Sequence, residues 1–143
     1  MRWNTLAGIG LSILCGMPTA TALPPQEESI IVAAVERNVT DATLRPCFVK
    51  LLRAIRKTEN GRKNYEFGVE HHRAEGFTNQ AGWCAAICMK RWDEWVLIQK
   101  ESFDGEPFLH YLARRYCPIN REVWLSNVVW FLANAKLQRA TTR

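Results

Sequence analysis

Apolar positions recur at intervals of three and four along most of the chain, the spacing that puts side chains on one face of a helix. After the Leu23-Pro24-Pro25 entry, Ile30, Ile31, Ala34 and Val35 predict a first helix over Glu27 to Val39. Phe48, Leu52 and Ile55 predict a second, opened by Thr43 ahead of Leu44-Arg45-Pro46, with the proline tolerated in the first turn. The longest runs from Asn79 to about Gln99 behind a Thr78 cap, and Ala81, Cys84, Cys88, Trp92 and Trp95 share its inner face. Asp104-Gly105-Glu106-Pro107 leads into a fourth, Phe108 to Tyr116, which Cys117-Pro118 stops. Asn120 opens a fifth with the stripe Trp124, Val128, Phe131 and Ala135, and the tail from Lys136 to Arg143 should fray. Between Arg62 and Phe77 the helical period is lost, and Gly68 and Gly76 predict an irregular segment or short hairpin. The fold class is therefore mainly α: one domain of about five helices with a single irregular excursion after the second.

One residue breaks this pattern. A further step of four from Ile55 lands on Glu59, so a carboxylate continues the apolar stripe of the second helix. Asn60-Gly61 supplies stop chemistry there, with Gly61 suited to the left-handed conformation that follows a last turn. Apolar surroundings and the partial negative charge of a helix C-terminus both disfavour an ionised carboxylate. A carboxylic acid held protonated in this way is a usable proton donor. The ordinary reading of the same residue is a solvated helix end.

The N-terminal stretch changes the redox and charge arithmetic. Residues 1–22 carry Arg2, an apolar run from Leu6 to Leu14, and the small-residue site Ala20-Thr21-Ala22, which together read as a secretory signal cleaved after Ala22. The run is too short to span a bilayer. A periplasmic or secreted domain over residues 23–143 follows, long enough to bury a core. Its four cysteines, Cys47, Cys84, Cys88 and Cys117, read as two disulfides in an exported chain. Cys84 and Cys88 lie one helical turn apart and are poorly placed to join each other, so each is expected to reach a different helix, one to Cys47 and one to Cys117. A four-thiolate zinc site is the weaker alternative because close-paired knuckle spacing is missing, and no metal or other cofactor is expected.

Losing Arg2 and no acidic residue lowers the formal charge from +5 to +4. That balance suits an anionic polymer such as cell-wall glycan without selecting it. Basic residues occur singly or in pairs, no nucleic-acid-binding signature is present, and export argues against nucleic acid as a partner.

The irregular segment holds most of the remaining candidates. Glu66 is close enough in sequence to share a cleft with Glu59, and Asp104 is a distant second as a further carboxylate. Gln80 in the first turn of the third helix could look back into that loop as a substrate hydrogen-bonder, beside the commoner role of a capping or solvent-facing residue. His71-His72 reads as surface loop, since adjacent side chains diverge and no third metal ligand is spaced to join them. Trp83 and Trp130 lie off the core stripe, where a flat apolar ring can stack on a sugar or pack a helix interface.

Thr58-Glu59-Asn60-Gly61 followed by Tyr65-Glu66-Phe67-Gly68-Val69 resembles the catalytic segment of the lysozyme-like superfamily. The resemblance is strongest to the goose-type lysozyme and lytic transglycosylase branch and to small bacterial and phage members. It extends to Gln80-Ala81, Arg115-Tyr116-Cys117-Pro118, and Trp124 with Asn127-Val128, covering about Cys47 to Phe131. The resemblance implies a lysozyme-like helical domain, peptidoglycan glycan strands as substrate, and Glu59 as general acid and base. Glu66 would be the second carboxylate of a hydrolase, whereas a lytic transglycosylase needs only Glu59. The chain departs from the branch in having Asn60 where transglycosylases commonly carry Ser, and it lacks a clean Gly-Leu-Met-Gln segment. A non-catalytic, disulfide-stabilised secreted binding or assembly module is the competing reading. A groove lined by Tyr65, Phe67, Gln80 and Tyr116 would favour catalysis, and a filled surface would favour the module.

Overall fold

The computed structural model describes residues 22–61, 63–101 and 105–134. The expected export segment, apart from Ala22, lies outside these residues, as do Asp104, Ala135 and the C-terminal tail. Five helices follow in order: α1 Pro25–Asn38, α2 Arg45–Glu59, α3 Phe77–Glu101, α4 Phe108–Tyr116 and α5 Arg121–Asn134. No strand occurs among the described residues, so the segment between α2 and α3 is a chain of turns rather than a hairpin.

Helix starts differ from the sequence expectation for local reasons. Pro25 enters the first turn of α1, where its missing N–H costs nothing, and Val39 rather than a helical residue closes the other end. Thr43 does not cap α2: its N–H and hydroxyl both donate to Asp41 Oδ1, at 2.8 and 2.7 Å, and Leu44 takes the cap position. α3 begins at Phe77, immediately after Gly76 with its positive φ of 80°, so Thr78 lies inside the helix.

α3 is the central element. Ala81, Cys84, Ala85 and Cys88 are buried on it, and α1 and α4 pack against it while α5 packs on α2 and α4. From α2 come Phe48, Leu51, Leu52, Ala54 and Ile55; from α5, Trp124 and Val128. Burying these side chains is the main favourable term, roughly 1.5–3 kcal/mol for each large aliphatic or aromatic one. Around Trp92 a second aromatic group forms, with ring centroids 6.2 Å from Phe48, 5.1 Å from Trp95 and 5.0 Å from Phe108. The Trp95 indole N–H donates to the Glu106 carbonyl at 2.7 Å and ties the α4 entry to α3. Glu28 pairs with Arg53, and Glu27 with Arg56 at 3.2 Å, across the α1–α2 contact.

The two expected disulfides are not formed. Cys47 is exposed on α2 beside the buried stripe rather than on it, Cys84 and Cys88 face the core, Cys117 is half-buried, and all four are free. Cys84 lies beside Cys88 on the buried face, and this neighbour together with burial pushes the Cys88 thiol well above the usual range. No described group of three or more His, Cys, Asp or Glu residues is arranged to hold a metal ion, and no described helix is long and apolar enough to cross a membrane.

Candidate active site around Glu59

α2 ends at Glu59, one step beyond its buried stripe. The stop is made by Asn60, which adopts the left-handed conformation (φ 42°, ψ 38°) and donates its N–H to the Arg56 carbonyl at 3.1 Å. Asparagine tolerates that region better than most residues. Gly61 is needed for a different reason than expected: the Tyr65 carbonyl occupies the space its Cβ would take. The chain thus folds back sharply and delivers Tyr65 to Glu70 alongside the end of α2.

Gln80 holds that returning segment in place. It is 0% exposed, and its Oε1 accepts the N–H groups of Phe67 and Val69, both at 3.2 Å. Its Nε2 donates to the carbonyls of Asn64, Val69 and Ala74 at 2.8, 2.9 and 2.8 Å. One buried amide therefore replaces the strand partner that a segment of this length normally needs. Asn64, at φ 74°, accepts the Gly76 N–H through Oδ1 at 2.9 Å and closes the loop on itself.

The Glu59 carboxyl lies between this loop and α5. Its Oε1 accepts the Trp124 indole N–H at 2.7 Å. On the other side is Gly68, at φ 69°, where an added Cβ would fall 2.6 Å from Glu59 Cδ and closer still to Oε2. Glycine is required there both for its conformation and for the carboxyl above it. Burial pushes the Glu59 pKa up from the ordinary carboxylate value; the Trp124 bond opposes the rise, and the charge of Glu70 adds to it. The Tyr116 ring stacks on Trp124 with centroids 5.2 Å apart and keeps the indole in register. The result is a half-buried carboxyl, held from one side, whose ionised form burial disfavours.

Of the other sequence-predicted site residues, Tyr116 lies near enough to feel the Glu59 charge, and most are engaged in holding the loop. Glu66 is only 8% exposed; its Oε1 accepts the Asn64 N–H at 3.0 Å, and its buried Oε2 has no hydrogen-bond partner among the described residues. Phe67 is 0% exposed and packs edge-on against Phe77 at 5.2 Å, a core role. Gln80 has no capacity left for a ligand. The Tyr116 hydroxyl donates to the Phe67 carbonyl at 2.6 Å and lies 3.3 Å from Cys84 Sγ, so it too fastens the loop. Burial, with Cys84 and Cys88 beside it, raises the phenol well above its normal pKa and keeps it a donor. Of the proposed substrate contacts only Tyr65, 41% exposed, faces outward.

Three residues at the site went unread as such. Trp124 registered as a core stripe and as part of the family resemblance, but not as the partner of Glu59. Gly68 sits inside the quoted motif, and only the carboxyl beside it explains why it is glycine. Glu70, exposed on the loop, is the carboxylate whose charge Glu59 feels, in the place assigned to Glu66. His71 and His72 also depart from expectation: their rings stack at 4.4 Å rather than diverging.

Gly68→Ala tests this geometry directly. Placing a non-glycine residue at φ 69° costs roughly 1–2 kcal/mol, and the new methyl must displace the Glu59 carboxyl. The expected result is a modest loss in urea stability with a large shift of the Trp124 indole N–H resonance. An unmoved resonance would show that Gly68 does not set the carboxyl position.

No family model matches the chain, and neither a curated protein nor a solved structure matches it.

Proposed function

We propose that the exported domain cleaves the β-1,4 glycan of peptidoglycan, with Glu59 as the single acid and base, in the manner of a lytic transglycosylase. The observation that carries this reading is the Glu59 carboxyl itself: burial raises its pKa, and the indole of Trp124 and the bare backbone of Gly68 hold it at a helix end. The similarity of Thr58–Gly61 and Tyr65–Val69 to the catalytic segment of the lysozyme-like superfamily supports it and supplies the substrate class.

Glu59 protonates the glycosidic oxygen as the bond from C1 breaks, and the leaving sugar departs as an alcohol. The carboxylate then takes the proton from the C6 hydroxyl of the remaining sugar while that oxygen bonds to C1 and closes an anhydro ring. Glu59 ends as it began, and no water is consumed. The single-carboxylate route is preferred because Glu66 is buried with one oxygen on its own turn, and Glu70 is the exposed carboxylate whose charge reaches Glu59 for a water-consuming alternative.

One observation favours the competing reading of a secreted binding module: Phe67, Gln80 and the Tyr116 hydroxyl fill the space beneath the loop instead of lining a groove. Product analysis separates the readings. The chain from Leu23 onward, incubated with purified sacculi, should release fragments with anhydro ends by mass spectrometry. Fragments with reducing ends would indicate hydrolysis, and a folded protein that releases nothing from several peptidoglycans would remove the enzymatic reading.

A further inference from the structure

A depression of about 420 Å³ lies between the end of α1 and the first turns of α3, lined by Arg37, Asn38, Thr78, Asn79, Gly82, Trp83 and Ala86. Its volume falls within the range of roughly 300–1,000 Å³ typical of small-ligand sites. None of the Glu59 site residues lines it. Trp83 presents an aromatic wall, and the His71 ring lies nearly parallel to it with centroids 4.2 Å apart, which sets the plane of the indole. At Gly82 an added Cβ would meet no atom within 4 Å, so the neighbouring position is bare backbone facing open space. The polar side chains are two amides, a hydroxyl and a guanidinium, with no carboxylate among the lining residues. Both amides are anchored through Nδ2, Asn38 to the Ala34 carbonyl at 2.8 Å and Asn79 to the Glu75 carbonyl at 2.9 Å, which leaves each amide oxygen as a placed acceptor.

A flat aromatic ring flanked by fixed amides and a hydroxyl suits a polyhydroxylated ring, whose axial C–H face stacks on the indole while its edge hydroxyls bond to the amides. Arg37 adds a donor for a carboxylate borne by the same sugar. We propose that this depression is a saccharide-binding subsite that holds one pyranose of the glycan strand at a point separate from Glu59. The choice of peptidoglycan as the strand rests on the proposed cleavage reaction, whereas the saccharide class rests on the lining. Histidine 71 and Gly68 belong to the same short loop, so the loop that carries the glycine beneath Glu59 also sets the indole plane of the subsite.

The test is co-sedimentation with insoluble sacculi, using the full exported domain carrying Glu59→Gln so that the polymer survives. Two further changes are compared in that background. Trp83→Ala removes the stacking wall. Gly82→Leu fills the depression without removing any contact, and replacing a helix-interior glycine by leucine should leave the melting temperature unchanged or higher. Each is expected to weaken binding at least about fivefold. Unchanged binding by a folded Gly82→Leu protein, or no binding by the parent, overturns the subsite. If the wild type cleaves glycan while Gly82→Leu binds as before, the cleavage reading survives and the subsite does not. If Gly82→Leu abolishes binding in a chain that cleaves nothing, the subsite survives and the cleavage reading does not.

Discussion

Gln80→Leu is expected to lower the folding free energy by about 4 kcal/mol or more, on the scale of 1–3 kcal/mol for each buried polar group left unpaired. Leucine fills a similar volume and is a good helix former, so packing and propensity predict little change. The loss comes from the backbone: the N–H groups of Phe67 and Val69 and the carbonyls of Asn64, Val69 and Ala74 all lose their partner at once. Against a usual total stability of about 5–15 kcal/mol, this would leave the domain at the edge of folding or its loop detached. Gln80→Glu should be nearly as damaging, because it keeps the acceptor, removes both donors and sets a carboxylate against three carbonyls. Urea unfolding followed by far-UV circular dichroism reads the effect. A cost below about 1 kcal/mol, the scale of one ordinary hydrogen bond, would mean that the loop is held by something other than this amide.

Glu59→Gln should separate activity from stability in opposite directions. Removing a positioned general acid typically costs about 10²–10⁴ in rate, and in the proposed reaction the same group returns as base, so glycan release should fall at least about a thousandfold. Stability should rise at neutral pH. Because burial raises the Glu59 pKa in the folded state above its unfolded value, the folded protein binds the proton more tightly. Wild-type stability is then greatest below the unfolded pKa, falls as pH rises through the folded pKa, and is level above it. Glutamine carries no charge to bury, and its carbonyl can still accept the Trp124 indole N–H. The two proteins should therefore melt together below the unfolded carboxyl pKa and diverge as pH rises through the folded Glu59 pKa, with the variant higher. A variant less stable than wild type at pH 8 would show that the ionised Glu59 carboxylate is an asset to the fold, and the case for a strained acid would fail.

How much of this was legible in the chain depends on the range of the interaction. The helical class, the approximate extents of the helices and the arrival of a carboxylate at the end of the α2 stripe follow from periodicity, which is a local property: Phe48, Leu52, Ile55 and Glu59 share a face whatever packs against it. The N-terminal boundaries followed less well. Asp41 outcompeted the chain for the Thr43 donors, and Phe77 could extend α3 backward because Gly76 takes the positive φ before it.

What tertiary structure alone decided is which polar groups face one another. Glu66 and Glu70 are both loop carboxylates, and no local rule says that the first turns inward to Asn64 while the second is the one whose charge Glu59 feels. Gln80 looked like any first-turn glutamine until five backbone groups from a distant segment converged on it. The cysteines could be counted but not paired, because pairing depends on which helix faces stack, and the packing of α2 against α3 leaves Cys47 on the outside. The sequence by itself determined the helices and the anomalous carboxyl at the end of one of them. The surroundings of that carboxyl, the burial that raises its pKa, the Trp124 indole from 65 residues downstream that holds it and the bare Gly68 of the returning loop, came only with the folding of α5 and the loop onto α2, since neither contact is encoded within one helical turn of Glu59.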